Sequence, residues 1–200
     1  LHSHLTGSLE ISEPSPEALS GFNKPLQNTI SSHAIHNSEV KRKESLLNHL
    51  KKSIASKFEG SQLSAFGSAE SGLSLKGGDF DLCLQISDAN EKKILKKIGG
   101  MLRGQGMEEV QIITGAKVPI VKFIDPRSGL HVDISINNSL ALHNTRLLSS
   151  YAKSDSRVKE LAICVKHWAL HRNISDSVKG TLSSYAWSIL VIEHLIVQGV

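Results

Sequence analysis

Apolar and polar positions alternate in two different rhythms along this chain, and the change of rhythm divides it. From Glu39 to Phe58 the apolar residues Val40, Leu46, Leu47, Leu50, Ile54 and Phe58 recur at helical spacing, which predicts a helix with one apolar face. Short runs of strand character follow: QLSAF, DFDLCLQI, EVQIIT, VPIVKFI and HVDISI, with one amphipathic helix at about 90–103 between the second and third. From Leu140 onward only helical spacing remains, over LALHNTRLLSSYAK, over Ser156 to Arg172 with Val158, Leu161, Ala162, Val165, Trp168 and Ala169 on one side, and again from Thr181. The order of elements predicts an α+β unit, a mixed β-sheet with helices, followed by the start of an all-helical domain.

Residues 1–37 carry seven serines, three of the five prolines and no sustained period, so they read as a flexible leader. The expected organisation is therefore a leader at 1–37, an α+β domain at 38–138, and the first part of a truncated helical domain at 139–200. The helix at 39–58 is assigned to the α+β span, with packing on the helical domain left open to it. The first residue is Leu1, and the apolar run WSILVIEHLIVQGV reaches Val200 without a cap, so the sequence reads as a piece of a longer chain.

Composition narrows the classes. The apolar run from Tyr185 to Val197 contains Glu193 and His194 and is shorter than the roughly 20 residues that span a bilayer, which predicts a core helix and no membrane partner. Cys83 and Cys164 lie far apart in apolar runs and read as buried free thiols of a reducing compartment, the cytoplasm first, with nucleus and mitochondrion open. A formal net charge of +4 permits a polyanionic partner. Within residues 41–57 six basic side chains face the single acidic Glu44, giving a basic helix face that suits nucleic acid or plain solvation equally.

The densest chemistry lies in AFGSAESGLSLKGGDFDLCLQI. Asp79 and Asp81 stand at i and i+2 of a strand and so share a face, with Phe80 and Leu82 turned to the core. Two unit charges about 4 Å apart repel by roughly 4 kcal/mol at an effective dielectric near 20, which calls for a counter-ion, and oxygen-preferring magnesium is the expected one. Asp133 in HVDISI is a third carboxylate that a neighbouring strand would bring alongside, completing a site for two metal ions. Gly67 allows close approach of backbone to phosphate, and the Ser68 hydroxyl adds a donor. Taken singly, a Gly-Ser turn or an Asp-x-Asp is usually bland; this order on these elements is not.

Gly-Ser, about ten residues, Asp-hydrophobic-Asp and a distant strand Asp together resemble the signature of the DNA polymerase β-like nucleotidyltransferases. KVPIVKF, INNSLALHNTRLLSSYAK, VKHWA and GTLSSYAW resemble its non-canonical poly(A) polymerase and terminal uridylyltransferase branch, over roughly residues 40–200. The resemblance implies a catalytic palm, metal-binding Asp79, Asp81 and Asp133, and nucleotide contacts from Gly67, Ser68, Asn144, Thr145, Lys166, Ser184 and Tyr185. Asn144 and Thr145 would approach ribose and triphosphate, Lys166 and Ser184 phosphate, and Tyr185 would stack on the base. It implies two magnesium ions, with manganese as a substitute, and partners in an RNA 3′ end and UTP or ATP; protein partners are not readable. The implied activity is template-independent addition of UMP to RNA 3′ ends. Addition of AMP from ATP is the alternative, and an inactive RNA-binding scaffold of the same fold is the rival of another class.

Two features stand outside the pattern. Leu170 occupies the position, one turn after Lys166, where many uridylyltransferase relatives carry a second lysine. His167 and His171 have chelating i, i+4 spacing but no evident third ligand, so zinc is disfavoured, and Asn137 and Asn138 suit either a capping turn or a cleft wall.

Overall fold

The computed structural model describes residues 14–87 and 90–200. Helices α1 (Pro16–His33) and α2 (Asn37–Ala55) lead into β1 (Gln62–Phe66), a single turn α3 (Ser68–Ser71) and β2 (Phe80–Gln85). Next come α4 (Glu91–Gly104), β3 (Glu108–Ile113), β4 (Ile120–Asp125) and β5 (Leu130–Ile136), then α5 (Ser139–Ser154), α6 (Ser156–His171) and α7 (Ser184–Val197). The fold is thus a mixed α+β part followed by helices, as the change of rhythm predicts.

The five strands form one sheet in the order β1-β2-β5-β4-β3, with β2 and β5 parallel and the other neighbours antiparallel. Period-2 alternation gives the sheet two unlike faces. Leu130, Val132, Ile134 and Ile136 of β5, with Phe80, Leu82 and Leu84 of β2 and Val121 and Phe123 of β4, bury against Leu46, Leu50 and Ile54 of α2 and Ile94, Leu95, Ile98 and Leu102 of α4. The opposite face carries Asp81 and Asp133. A second core joins Leu148, Val158, Ala162, Val191, Ile192 and Leu195 of α5, α6 and α7 to Leu73, which belongs to the segment before β2.

Helix α2 packs on the sheet side, against β1 and within the core beneath the sheet. Its buried stripe is also rotated from the apolar prediction. Val40 is 36% exposed, whereas Glu39 and Lys43 are buried as an ion pair with 3.0 Å between Lys43 Nζ and Glu39 Oε1. Each buried charge has further partners: Glu39 Oε2 accepts from Gly77 N at 3.1 Å, and Lys43 Nζ donates to Gly78 O at 3.1 Å. Hydrogen-bonded pairing is what makes burial of such charges tolerable.

The flexible leader expected at 1–37 is corrected over its second half, since Pro16–His33 is helical; residues 1–13 lie outside the described residues. Ser15 caps this helix by accepting from Ala18 N, Pro16 takes a first-turn position and Glu17 sits in the first turn, all standard start signals. No side chain of α1 is buried, although Leu19, Phe22, Leu26 and Ile30 recur at helical spacing, a short period set among serines and prolines that the sequence reading passes over. The hydroxyls that suggest a linker are spent on the helix's own carbonyls: Thr29 on Pro25, Ser31 on Gln27 and Ser32 on Asn28. The chain end of α1 is anchored by Lys76 N donating to His33 O at 2.8 Å and by an Ala34–Leu75 bridge.

Candidate active site

The β1–α3 turn begins at Gly67, with φ +74°, a conformation open to glycine at little cost. A Cβ at this position would also collide with Asp81 Oδ2, so the glycine is required by backbone and by neighbour alike. Its N–H donates to Thr145 Oγ1 at 2.8 Å, and the same hydroxyl donates to Ala141 O at 2.7 Å. Thr145 therefore fastens the turn to α5, a positioning contact that the family pattern alone does not disclose.

Asp81 and Asp133 are register partners on the parallel strands β2 and β5, and Asp79 lies one residue before β2. Burial, then the charges of Asp133 and Asp79, raise the Asp81 carboxyl from 3.8 to about 7, against the lowering pull of Lys122 and Lys43. Burial likewise raises Asp133, opposed by its hydrogen bond to Lys122. Lys122 is the register partner of Asp133 on β4, and its Nζ lies 2.7 Å from Asp133 Oδ2; that bond raises the ammonium above its ordinary value. Among the described residues, no three acidic, histidine or cysteine side chains already converge as a metal site. The donor set nonetheless fits hard divalent cations: Asp81 and Asp133 level on neighbouring strands with Asp79 just before them, and an Asp81 carboxyl raised first by burial and then by the charges of the other two.

One cleft of about 310 Å³ gathers most of the remaining predictions. Gly67, Ser68 and Asp81 form one wall, Asn144 and Thr145 of α5 the next, and Lys166, Ser184 and Tyr185 of the later helices the third. Asp79 and Asp133 open instead on a smaller pocket of about 100 Å³ that they share with Lys122. Lys166 is buried, its Nζ donates to Leu73 O at 2.5 Å, and burial lowers it to about 8. Ser184 opens α7, whose cap is Ser183, accepting from Ala186 N at 3.1 Å. Tyr185 is 39% exposed, a ring at the rim and not the core aromatic that an apolar helix would suggest.

Leu170 is 52% exposed, so the turn after Lys166 points outward. Asn137, at φ +50°, bonds both ways to the Ile86 backbone, and Asn138 caps α5; both serve the turn, and neither lines the cleft. His167 meets a third imidazole, His33, at 3.8 Å between ring centroids, and His171 at 4.3 Å. These rings meet as faces and edges, joining α1 to α6, and burial followed by the two neighbours lowers His167.

Three contributors escape the sequence reading: Lys122, Glu39 and Lys43. The i, i+4 spacing of Glu39 and Lys43 is the one signal available, and surface pairs share it. Their task is visible in the structure, because Gly77 and Gly78, which they hold, immediately precede Asp79.

Comparison with known proteins agrees with this geometry. The family model described as the central palm domain of mitochondrial-like poly(A) RNA polymerase matches residues 22–153. Terminal uridylyltransferase 7 of Homo sapiens is 40% identical over 164 residues, covering 78% of this chain and 11% of that protein. Terminal uridylyltransferase cid1 of Schizosaccharomyces pombe is 39% identical over 168 residues, 81% of this chain and 41% of that one. Poly(A) RNA polymerase GLD2-A of Xenopus laevis is 37% identical over 165 residues, with coverage of 78% and 32%. A solved cytoplasmic RNA terminal U-transferase superposes with a TM-score of 0.77 at 37% identity, over 84% of this chain and 52% of that one. The Cid1 poly(U) polymerase with magnesium and 3′-dATP bound gives 0.77 at 36%, over 84% and 53%. The chain spans 41% or less of the length of each of these curated relatives.

Proposed function

Because the chain belongs to the family of mitochondrial-like poly(A) RNA polymerase central palm domains, within the DNA polymerase β-like nucleotidyltransferases, we propose that it is the catalytic part of an enzyme that adds UMP from UTP to RNA 3′ ends without a template. The observation that carries this reading is the single cleft in which Gly67, Ser68, Asn144, Thr145, Lys166, Ser184 and Tyr185 meet Asp81, with Asp133 in register on the next strand. We place its action in the cytoplasm, in keeping with the free thiols Cys83 and Cys164; among the described residues no helix is long and apolar enough to cross a membrane.

In the reaction the RNA 3′-oxygen attacks the α-phosphorus of the nucleotide, its proton leaves to solvent, and the bond to pyrophosphate breaks. Asp79, Asp81 and Asp133 would hold two magnesium ions, which supply activation of the attacking hydroxyl and countercharge for the triphosphate. The chain's own groups set the geometry. Gly67 lets the phosphates approach the turn, and Thr145 keeps that turn at its distance from α5. Lys166 presents a point charge to phosphate, while the Tyr185 face offers a stacking surface that tolerates any base.

Addition of AMP is the second reading, favoured by the poly(A) polymerase description of the matching family model and by the similarity to GLD2-A. Uridine is preferred because uridylyltransferases 7 and cid1 stand at 40% and 39% identity against 37% for GLD2-A. The deciding experiment is extension of a labelled RNA primer by the full-length protein, with each nucleoside triphosphate offered separately. Extension with UTP above the others is expected. Preference for ATP selects the second reading, and no extension with any of the four removes both.

A further inference from the structure

On the sheet face opposite the acids, a pocket of about 320 Å³ opens between α2 and the β4–β5 turn, and no role assigned above uses it. Arg42, Ser45 and His49 lie on one stripe of α2, and Arg127 and Ser128 face them from the turn. Arg42 Nη1 donates to Ser128 O at 2.8 Å, which fixes the guanidinium and leaves most of its planar fork free. Among the described residues, the Arg127 guanidinium and the His49 ring have no protein partner. The one carboxylate in the pocket, Asp125, is turned into the turn itself: Oδ2 accepts from Ser128 Oγ at 2.5 Å and Oδ1 from Arg127 N at 3.4 Å.

We propose that this pocket binds the phosphodiester backbone of the RNA upstream of its 3′ end, a proposal that rests on the RNA-extending reading above. Two guanidiniums, an imidazole and the Ser45 hydroxyl against one committed carboxylate make a site for anionic oxygens. The exposed Lys41 and Lys52 of α2 extend the positive field beyond the pocket, which suits a polymeric anion over a small one. The place is also right. The turn precedes Leu130 at the start of β5, about 10 Å along the strand from Asp133 at roughly 3.3 Å per residue. A strand leaving the acids and turning over this end of the sheet to its opposite face would meet Arg127 and then Arg42.

The test is binding of a 5′-labelled single-stranded RNA by fluorescence anisotropy across a salt series. It compares the unmodified protein, Arg42→Gln/Arg127→Gln and a control that removes two charges from exposed positions of α4, Lys92→Gln/Lys97→Gln. The pocket variant should bind RNA on the order of tenfold more weakly at low salt. Its log affinity against log salt should become shallower by about 1.4, at roughly 0.7 for each single-strand phosphate that an arginine no longer neutralises. Arg127→Gln alone, whose guanidinium has no partner within the fold, should show about half of that change in slope. UTP binding should be unchanged throughout. A pocket variant whose slope matches that of the control overturns the proposal while leaving the enzymatic reading intact, and an unmodified protein that binds UTP but no RNA overturns both. Binding of inorganic phosphate to the unmodified protein that is lost in the pocket variant, with RNA affinity and salt slope the same in both proteins, assigns the site to a small anion and overturns the RNA source.

Discussion

Lys122 Nζ lies 2.7 Å from Asp133 Oδ2, between register partners of β4 and β5, and so provides a built-in cation for the acidic face. The ammonium side chain is 43% exposed, which keeps its net effect on stability small. In Lys122→Met the repulsion among Asp79, Asp81 and Asp133 loses one compensating charge. The variant should melt slightly lower without divalent ions and gain more than the unmodified protein when magnesium is added. Thermal melts with and without magnesium check this, and an equal magnesium gain in both proteins would contradict the competition.

The raised Asp81 carboxyl gives a pH dependence of definite sign. The folded state keeps its proton up to about 7, while the unfolded chain releases it near 3.8. Between those values the folded state binds more protons, so this group's contribution falls as pH rises through the window. At about 1.4 kcal/mol per unit the scale is a few kcal/mol at most, reduced by relaxation around the site. Asp81→Asn should therefore melt higher than the unmodified protein at pH 8 without metal, lose that advantage near pH 4, and fail to extend RNA at any pH. Melting curves at the two pH values, with a primer assay, provide the check.

Gly67→Ala should be far more harmful than its one added methyl suggests. The backbone at φ +74° and ψ −151° lies in a region essentially reserved to glycine and costs another residue about 1 to 3 kcal/mol, and the methyl meets Asp81 Oδ2. Thr145→Val removes the acceptor of the part-buried Gly67 N–H while preserving shape, at roughly 1 kcal/mol. Expected are at least a hundredfold loss of kcat in Gly67→Ala and a raised nucleotide KM in Thr145→Val, read in steady-state primer extension.

Tyr185 is exposed enough to be changed without loss of the fold. Tyr185→Ala should raise KM for every nucleotide by about 5- to 150-fold, the equivalent of roughly 1 to 3 kcal/mol of stacking. Tyr185→Phe should stay near the unmodified value, since the face of the ring is retained. A severe defect in the phenylalanine variant would assign the interaction to the hydroxyl.

Much of this architecture is legible in the chain because both rhythms are strong. QLSAF is β1 residue for residue, and the helix expected at 90–103 is α4, Glu91–Gly104. What escapes has physical causes. The burial of Glu39 and Lys43 in place of Val40 depends on carbonyl and amide partners some 35 residues away, which no local period encodes. Helix α1 lies on the surface, and its short stripe of Leu19, Phe22, Leu26 and Ile30 is set among the serines and prolines that read as a linker. That Asp133 belongs beside Asp81 is anticipated from residue type, but the parallel register that sets them level, and the lysine on the third strand, are matters of long-range pairing. The exposure of Leu170 likewise depends on how α6 is rotated against its neighbours, which its sequence leaves open.

The segment from Leu73 to Gly78 is held by Lys166 of α6, by the end of α1 at His33 and Ala34, and by Glu39 and Lys43 of α2. It delivers the chain directly to Asp79. Three helices thus act as guy-ropes on one short span, and slack in any of them is passed along it to Asp79. A surface change on α1, where no side chain is buried, is accordingly a change made within reach of the chemistry.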